Sequence, residues 1–347
     1  MREFRWAISV LAAIAVAVPA GAARADQGPV TRSMLDAPVH FAPGGDRLIV
    51  GTALELAAGE SRHLQGRLEA TSSTTVIVAM NATVKCLSGT TQVGISSTSS
   101  RNHEGRDTTS YAVDGHLPLV VDLLFTAPAA GSYRCGLYGR TATNQSGLTY
   151  HLSAVAGGKT WLAASQTNQV GAHWWQNPPC DSRGTSSTCT YVGPGQPDSA
   201  FVFYEPGLPH DKWTVGGDAR FVQALANVTV TTCYRGTASC DRVPEANRLA
   251  RTVGSHSLVA VRLEVLQMDG DGSHTCNTTR TARSVKTMLD DAHHYTAYLS
   301  LPSVPVLTSC GRQFMMRVYV EHVSGSPVKI DGVQGATSLT NGIMMNL

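Results

Sequence analysis

Val76-Ile-Val-Ala-Met-Asn-Ala-Thr-Val-Lys-Cys86 decides the fold class. Val76, Val78, Met80, Ala82, Val84 and Cys86 fall on one side of an extended chain, with Asn81, Thr83 and Lys85 between them. Successive side chains of a strand point to opposite faces, so this period of two predicts a half-buried strand. The pattern recurs where Val259, Val261, Leu263 and Val265 alternate with Arg262 and Glu264, and where Phe314, Met316, Val318 and Val320 alternate with Arg317, Tyr319 and Glu321. Residues 119–126, 148–155, 200–204 and 295–301 read the same way, between Gly, Pro and Ser clusters. Helical patterning is confined to short turns at 244–250 and 282–292. Many short strands separated by turn signals predict an all-β chain with very little helix, built as β-sandwiches.

An internal repeat divides the chain. Asn81-Ala-Thr-Val-Lys-Cys86 is echoed by Asn227-Val-Thr-Val-Thr-Thr-Cys233, one residue longer, as a bulge would make it. More loosely, Pro128-Ala-Ala-Gly-Ser-Tyr-Arg-Cys135-Gly136 is echoed by Pro305-Val-Leu-Thr-Ser-Cys310-Gly311. The expected organisation is a first sandwich over 26–156, a connecting segment with a stapled loop over 157–199, and a second sandwich over 200–347. Ala130-Gly-Ser-Tyr-Arg-Cys135 resembles the immunoglobulin-like fold, in which a tyrosine two residues before a strand-F cysteine forms the tyrosine corner. The resemblance implies that Cys86 is the strand-B partner of Cys135. No tryptophan lies between the two cysteines, where that fold places one in its core.

The eight cysteines all follow residue 85. Before them, Arg2 and Arg5, an apolar run from Ala7 to Val18 and Ala23-Arg24-Ala25 form a secretory signal over 1–25. An exported, secreted chain can keep disulfides. Cys86 and Cys135 are the only cysteines of the first sandwich and are expected to pair, and Cys180 with Cys189 brackets a short polar loop. In the second sandwich the repeat predicts Cys233–Cys310 and Cys240–Cys276, whereas local spacing predicts Cys233–Cys240 and Cys276–Cys310. The repeat-based pairing is preferred. No CxxC appears, which argues against zinc. Scarce lysine amid abundant Ala and Gly suggests a bacterial, GC-rich source.

Removing Arg2, Arg5, Arg24 and Glu3 from 27 bases and 25 acids leaves 24 of each. A neutral chain has no long-range attraction for nucleic acid or an anionic bilayer, and no second apolar run predicts membrane insertion. GxSxG, GxGxxG, P-loop and HExxH motifs are absent, and no cofactor is implied. Asp269-Gly-Asp-Gly-Ser273 starts like a calcium loop, but His274 and Arg280 occupy positions that loop needs for Gly and Glu, so a hairpin turn is expected. Asp290, Asp291, His293 and His294 form the densest set of metal-ligand types. Adjacent strand side chains diverge, however, so a polar turn is the preferred reading.

Trp174, Trp175 and Trp213 sit in Pro/Gly-rich surroundings near Tyr204 and His210. Exposed indoles anchor interfaces and stack on ligands. These residues make the expected binding site, on loops of the second sandwich. The expected function is thus a secreted, non-catalytic binding or structural protein recognising a protein partner or a cell-surface glycan. An extracellular hydrolase acting on cell-wall polysaccharide or protein, and an assembly subunit pairing through an edge strand, are the alternatives.

Overall fold

The computed structural model describes residues 29–42, 44–72, 79–101, 116–142, 152–175, 180, 189–203, 212–236, 240–250, 256–289, 294–334 and 337–347. The signal segment, Val76 and Val78 lie outside them. The first ten strands are β1 (Val30–Met34), β2 (Val39–Phe41), β3 (Arg47–Leu56), β4 (Ser61–Ser72), β5 (Ala79–Ser88), β6 (Thr91–Arg101), β7 (His116–Thr126), β8 (Gly131–Ala142), β9 (Leu152–Ala154) and β10 (Trp161–Ser165). Then come β11 (Gly171–Trp175), β12 (Thr190–Val192), β13 (Ser199–Val202), β14 (Trp213–Thr214), β15 (Phe221–Thr232), β16 (His256–Met268), β17 (Thr275–Arg280) and β18 (Ser284–Leu289). The last are β19 (His294–Pro305), β20 (Gln313–Ser324), β21 (Val328–Ile330), β22 (Val333–Gln334), β23 (Thr337–Ser338) and β24 (Asn341–Asn346). Helix among the described residues is a single 3₁₀ turn, Glu245–Asn247. The helical turn expected over 282–292 is instead β18, whose residues pair with β16 from His256 to Val261.

Among the described residues all pairings are antiparallel, and they form four larger sheets and a two-stranded ribbon of β22 and β23. Sheet I has the order β3-β8-β5-β6, and sheet II the order β1-β10-β4-β9-β2 with β7 on the other edge of β4. In sheet III, β15 carries β19 along one side and β24 and β21 along the other. Sheet IV is built on β13-β20-β16-β17, with β14 on β20 and β18 on β16. Met80, Ala82, Val84 and Cys86 point from β5 toward Leu64 and Leu68 of β4, all fully buried. Gly66 of β4 lies where any Cβ would stand 2.8 Å from both Leu137 and Val84, so the two sheets meet there at glycine distance. Sheets III and IV bury Val222, Ala224, Val228, Val259, Leu263, Phe314 and Val318 in the same hydrophobic cluster. Trp161–Ser165, at the upstream edge of the connecting segment where 160–164 also read as a last strand of the first sandwich, pairs with both β1 and β4 in sheet II. β11 and β12, also in that segment, belong to sheet III.

The disulfides are Cys86–Cys135, Cys180–Cys189, Cys233–Cys240 and Cys276–Cys310. The preferred pairing of Cys233 with Cys310 and Cys240 with Cys276 is therefore corrected, and the strand register gives the reason. Cys233 follows Thr232 at the end of β15, whereas Pro305 pairs with Phe221 at its start. Cys310 thus lies beyond the opposite end of a strand roughly 35 Å long. There the Gly311 N–H donates to the Met268 carbonyl (2.8 Å), beside the hairpin that carries Cys276. The immunoglobulin-like implication also changes. Tyr133 Oη does donate to the Ala129 carbonyl, as a tyrosine corner would. Yet Cys86 and Cys135 face each other on neighbouring strands of sheet I, with Cα atoms 4.0 Å apart, rather than bridging two sheets.

A valine at position 66 forces overpacking between β4, β5 and β8, so Gly66→Val should cost about 1–3 kcal/mol of stability. A urea midpoint unchanged from wild type would contradict this packing. Non-reducing peptide mapping should recover Cys276 joined to Cys310. A peptide joining Cys233 to Cys310 would overturn the register argument.

Candidate functional site

The outward face of sheet II packs on the outward face of sheet III, and this junction is polar. Its rows follow from strand register. Across β1, β10, β4 and β7 one row reads Arg32, Ala163, Gln65, Asp122, and the next reads Val30, Ser165, His63, Leu124. Opposite them, β15 contributes Gln223, Leu225 and Asn227, and β19 contributes Tyr298 and Ser300. Leu124 packs with Leu225, Ile343 and Met345 as a small apolar seal. Beside the seal the sheets enclose a cavity of about 260 Å³ lined by Arg32, His63, Gln65, Gln223, Tyr298 and Ser300, among others.

One end of the cavity is a hydrogen-bond network centred on Asp122 Oδ1, with Asp122 Oδ2 left without a partner among the described residues. His63 Nε2 lies 2.8 Å from Asp122 Oδ1, and Gln65 Nε2 donates to the same oxygen (2.9 Å) and to Tyr298 Oη (3.0 Å). The Tyr298 hydroxyl is pushed well above its ordinary pKa by burial and by the Asp122 carboxylate beside it. It therefore stays protonated, a neutral hydrogen-bonding group. Behind this network His173 Nε2 accepts the Leu124 main-chain N–H (2.8 Å), so its imidazole must be neutral. Burial is the main reason its pKa falls to about 4, with the neighbouring His63 adding to the effect and Asp122 opposing it.

The other end is open chemically. Gln223 is only 5 % exposed, and its carboxamide has no hydrogen-bond partner among the described residues. A buried amide without a partner costs free energy unless a ligand or water completes it. The Ser300 hydroxyl is likewise without a side-chain partner among the described residues. His63 with Asp122 resembles the base half of a hydrolase site. However, Ser165 Oγ accepts the His63 main-chain N–H and donates to the Thr167 carbonyl. The Ser165 hydroxyl thus joins the β4–β10 seam through main-chain groups and is not poised as a nucleophile.

The sequence-predicted site residues are not gathered in one place. Trp174 of β11 is 5 % exposed and lies in the core between sheets III and IV, so it offers no surface for a partner. Trp175 is exposed and meets His173 edge-on, with ring centroids 5.1 Å apart. Trp213 of β14 is half-buried and pairs with Phe314 in a different sheet. Tyr204, His210, Asp290, Asp291 and His293 lie outside the described residues. His294 is held at Thr231 Oγ1 (2.6 Å) beside buried Asp331 and Lys329. Burial pushes the Asp331 carboxyl up, but Lys329 and the His294 and Thr231 hydrogen bonds prevail and hold it at about 2. In the 269–274 hairpin, Asp269, Asp271 and His274 come close enough to share an ion, on an exposed turn that their own hydrogen bonds explain. Sequence reading missed His63, Gln65, Asp122 and Gln223. Each was visible as the polar position of an alternating strand, a signal that ordinarily marks solvent.

No protein-family model and no curated protein matches the chain. Among solved structures it is similar to the tandem CBM22 domains of Paenibacillus barcinonensis Xyn10C, at 12 % identity and TM-score 0.24, covering 94 % of this chain and 100 % of that one. It is similar also to a Broad Bean Stain Virus structure, at 9 % identity and TM-score 0.26, covering 93 % and 91 %. The corresponding values for Cowpea mosaic virus are 9 %, 0.25, 90 % and 90 %.

The His173 pKa lies below that of an unfolded histidine, so the unfolded chain binds the extra proton and stability rises with pH between about 4 and 6.5. Allowing for water at the half-buried ring, about 2 kcal/mol should be lost on going from pH 7 to pH 4.5. Urea unfolding of wild type against His173→Gln isolates this loss. An equal loss in the variant would remove His173 as its source.

Proposed function

We propose that this is a secreted, non-catalytic binding protein that takes one sugar unit of a cell-surface glycan into the cavity between sheets II and III. The observation that carries the reading is Gln223, nine-tenths buried, lining the cavity, with a carboxamide that has no hydrogen-bond partner among the described residues. A sugar ring presents hydroxyls that donate and accept together, as an amide does. The cavity volume lies just below the usual range of about 300–1,000 Å³ for ligand sites, which suits one ring rather than a protein surface. Four disulfides suit an extracellular protein. No helix among the described residues is long and apolar enough to cross a membrane.

This reading moves recognition from the second-sandwich loops to the junction, where both halves of the chain supply contacts. The two sandwiches divide near residue 166, between β10 and β11, with disulfides stapling each. Calorimetric titration of the purified protein with glucose, N-acetylglucosamine, galactose and glucuronate is expected to find binding of at least one. Gln223→Leu keeps the side-chain volume but not the amide, and should weaken that binding about tenfold or more. Equal affinity in the variant, or no binding of any of the four, would refute a sugar site in this cavity.

A further inference from the structure

We infer that the sugar bound in the junction cavity is acidic, its carboxylate paired with Arg32; this rests on the reading of the cavity as a sugar site. The row Arg32, Ala163, Gln65, Asp122 crosses four strands of sheet II and places one charge at each end. The two ends are treated differently. Asp122 is buried, with Oδ1 held by His63 and Gln65, while its Oδ2 has no hydrogen-bond partner among the described residues. Arg32 has no carboxylate partner among the described residues, and its guanidinium lies over the Trp161 ring, 4.3 Å from the centroid. A cation held by an aromatic face keeps its charge and loses much of its freedom, so little further ordering is needed when an anion arrives.

Space and neighbours agree. Ala163, the residue between Arg32 and Gln65, has only a methyl group and leaves the row recessed where a ligand would sit. Further along β4 the charges are matched internally, with Arg67 2.6 Å and Lys159 3.9 Å from Glu69. Arg32 is thus the unmatched charge at the cavity mouth. Its planar fork fits a carboxylate with two parallel hydrogen bonds. Gln223 and Ser300 across the cavity would then meet ring hydroxyls, which a carboxylate on its own does not offer.

Glucuronate and glucose differ only at the carbon that bears the carboxylate, so they make the test. The purified protein at low salt should bind glucuronate about tenfold more tightly than glucose. In Arg32→Gln that preference should fall to about twofold, and added salt should erode it in wild type. Equal affinity for the two sugars in wild type would overturn the acidic-ligand inference, as would a preference that survives Arg32→Gln. Glucose binding lost in Gln223→Leu would still uphold the cavity as a sugar site. Failure of both these sugars to bind would overturn the acidic-ligand inference, and failure of N-acetylglucosamine and galactose as well would overturn the sugar site itself. Acetate or the dipeptide Ala-Ala competing as well as glucuronate would keep the Arg32 carboxylate contact and overturn the sugar.

Discussion

Everything in this molecule depends on burying a sheet face that is polar. β15 is bonded on both edges and covered on both faces, and all its residues after Phe221 are buried. Toward sheet IV it presents Val222, Ala224, Ala226, Val228 and Val230, the ordinary apolar half of an alternating strand. Toward sheet II and β6 it presents Gln223, Asn227, Thr229 and Thr231. Each buried hydroxyl or amide there must find a partner or destabilise the fold by an amount comparable to a lost hydrogen bond, and most do, although Asn227 Oδ1 has none among the described residues. Thr229 Oγ1 lies 2.8 Å from Thr296 Oγ1 and donates to Leu339 at 2.9 Å, while Thr231 Oγ1 donates to Asp331. Asn341 Nδ2 donates to the Ser97 carbonyl, and Thr296 Oγ1 to that of Ser99. A sheet pair joined this way is fixed in register, because sliding it by one residue would strand every one of these groups.

Where the matching stops, the cavity begins. The β15–β19 register shifts between Val222 and Ala224, so Gln223 sits at an irregularity while Thr229 and Thr231 stay in the regular ladder. Beyond the Leu124–Leu225–Ile343–Met345 seal the two sheets no longer satisfy each other, and polar groups face open space. The network of His63, Gln65, Asp122 and Tyr298 fixes one wall. The unpartnered Gln223 and the stacked Arg32 define the other. One junction therefore holds the halves together at one end and offers binding chemistry at the other.

How much of this was legible beforehand can be argued from particular residues. The period of two in 259–265 and 314–321 gave β16 and β20 directly, since β-branched residues at alternate positions have few other uses. The echo between Asn81–Cys86 and Asn227–Cys233 matched two strands, β5 and β15, but misled about the disulfides. Cys86 meets its partner across one strand pair, whereas Cys233 stands a full strand length from Cys310. The tryptophans misled for a simpler reason: in Trp174-Trp175 one ring enters the core and its neighbour leaves it, as adjacent strand residues must.

From its own pattern the chain determined an all-β fold with a scarcity of helix and a set of cysteines that can staple it. Those properties follow from local alternation and from residue type, and they need no neighbour to be read. The pairing of Cys276 with Cys310, the burial of Trp174 and the cavity around Gln223 were decided only in the tertiary structure. Local patterning says that a polar residue points away from its own core. It does not say whether water or a second sheet waits on the other side, and here it is a second sheet.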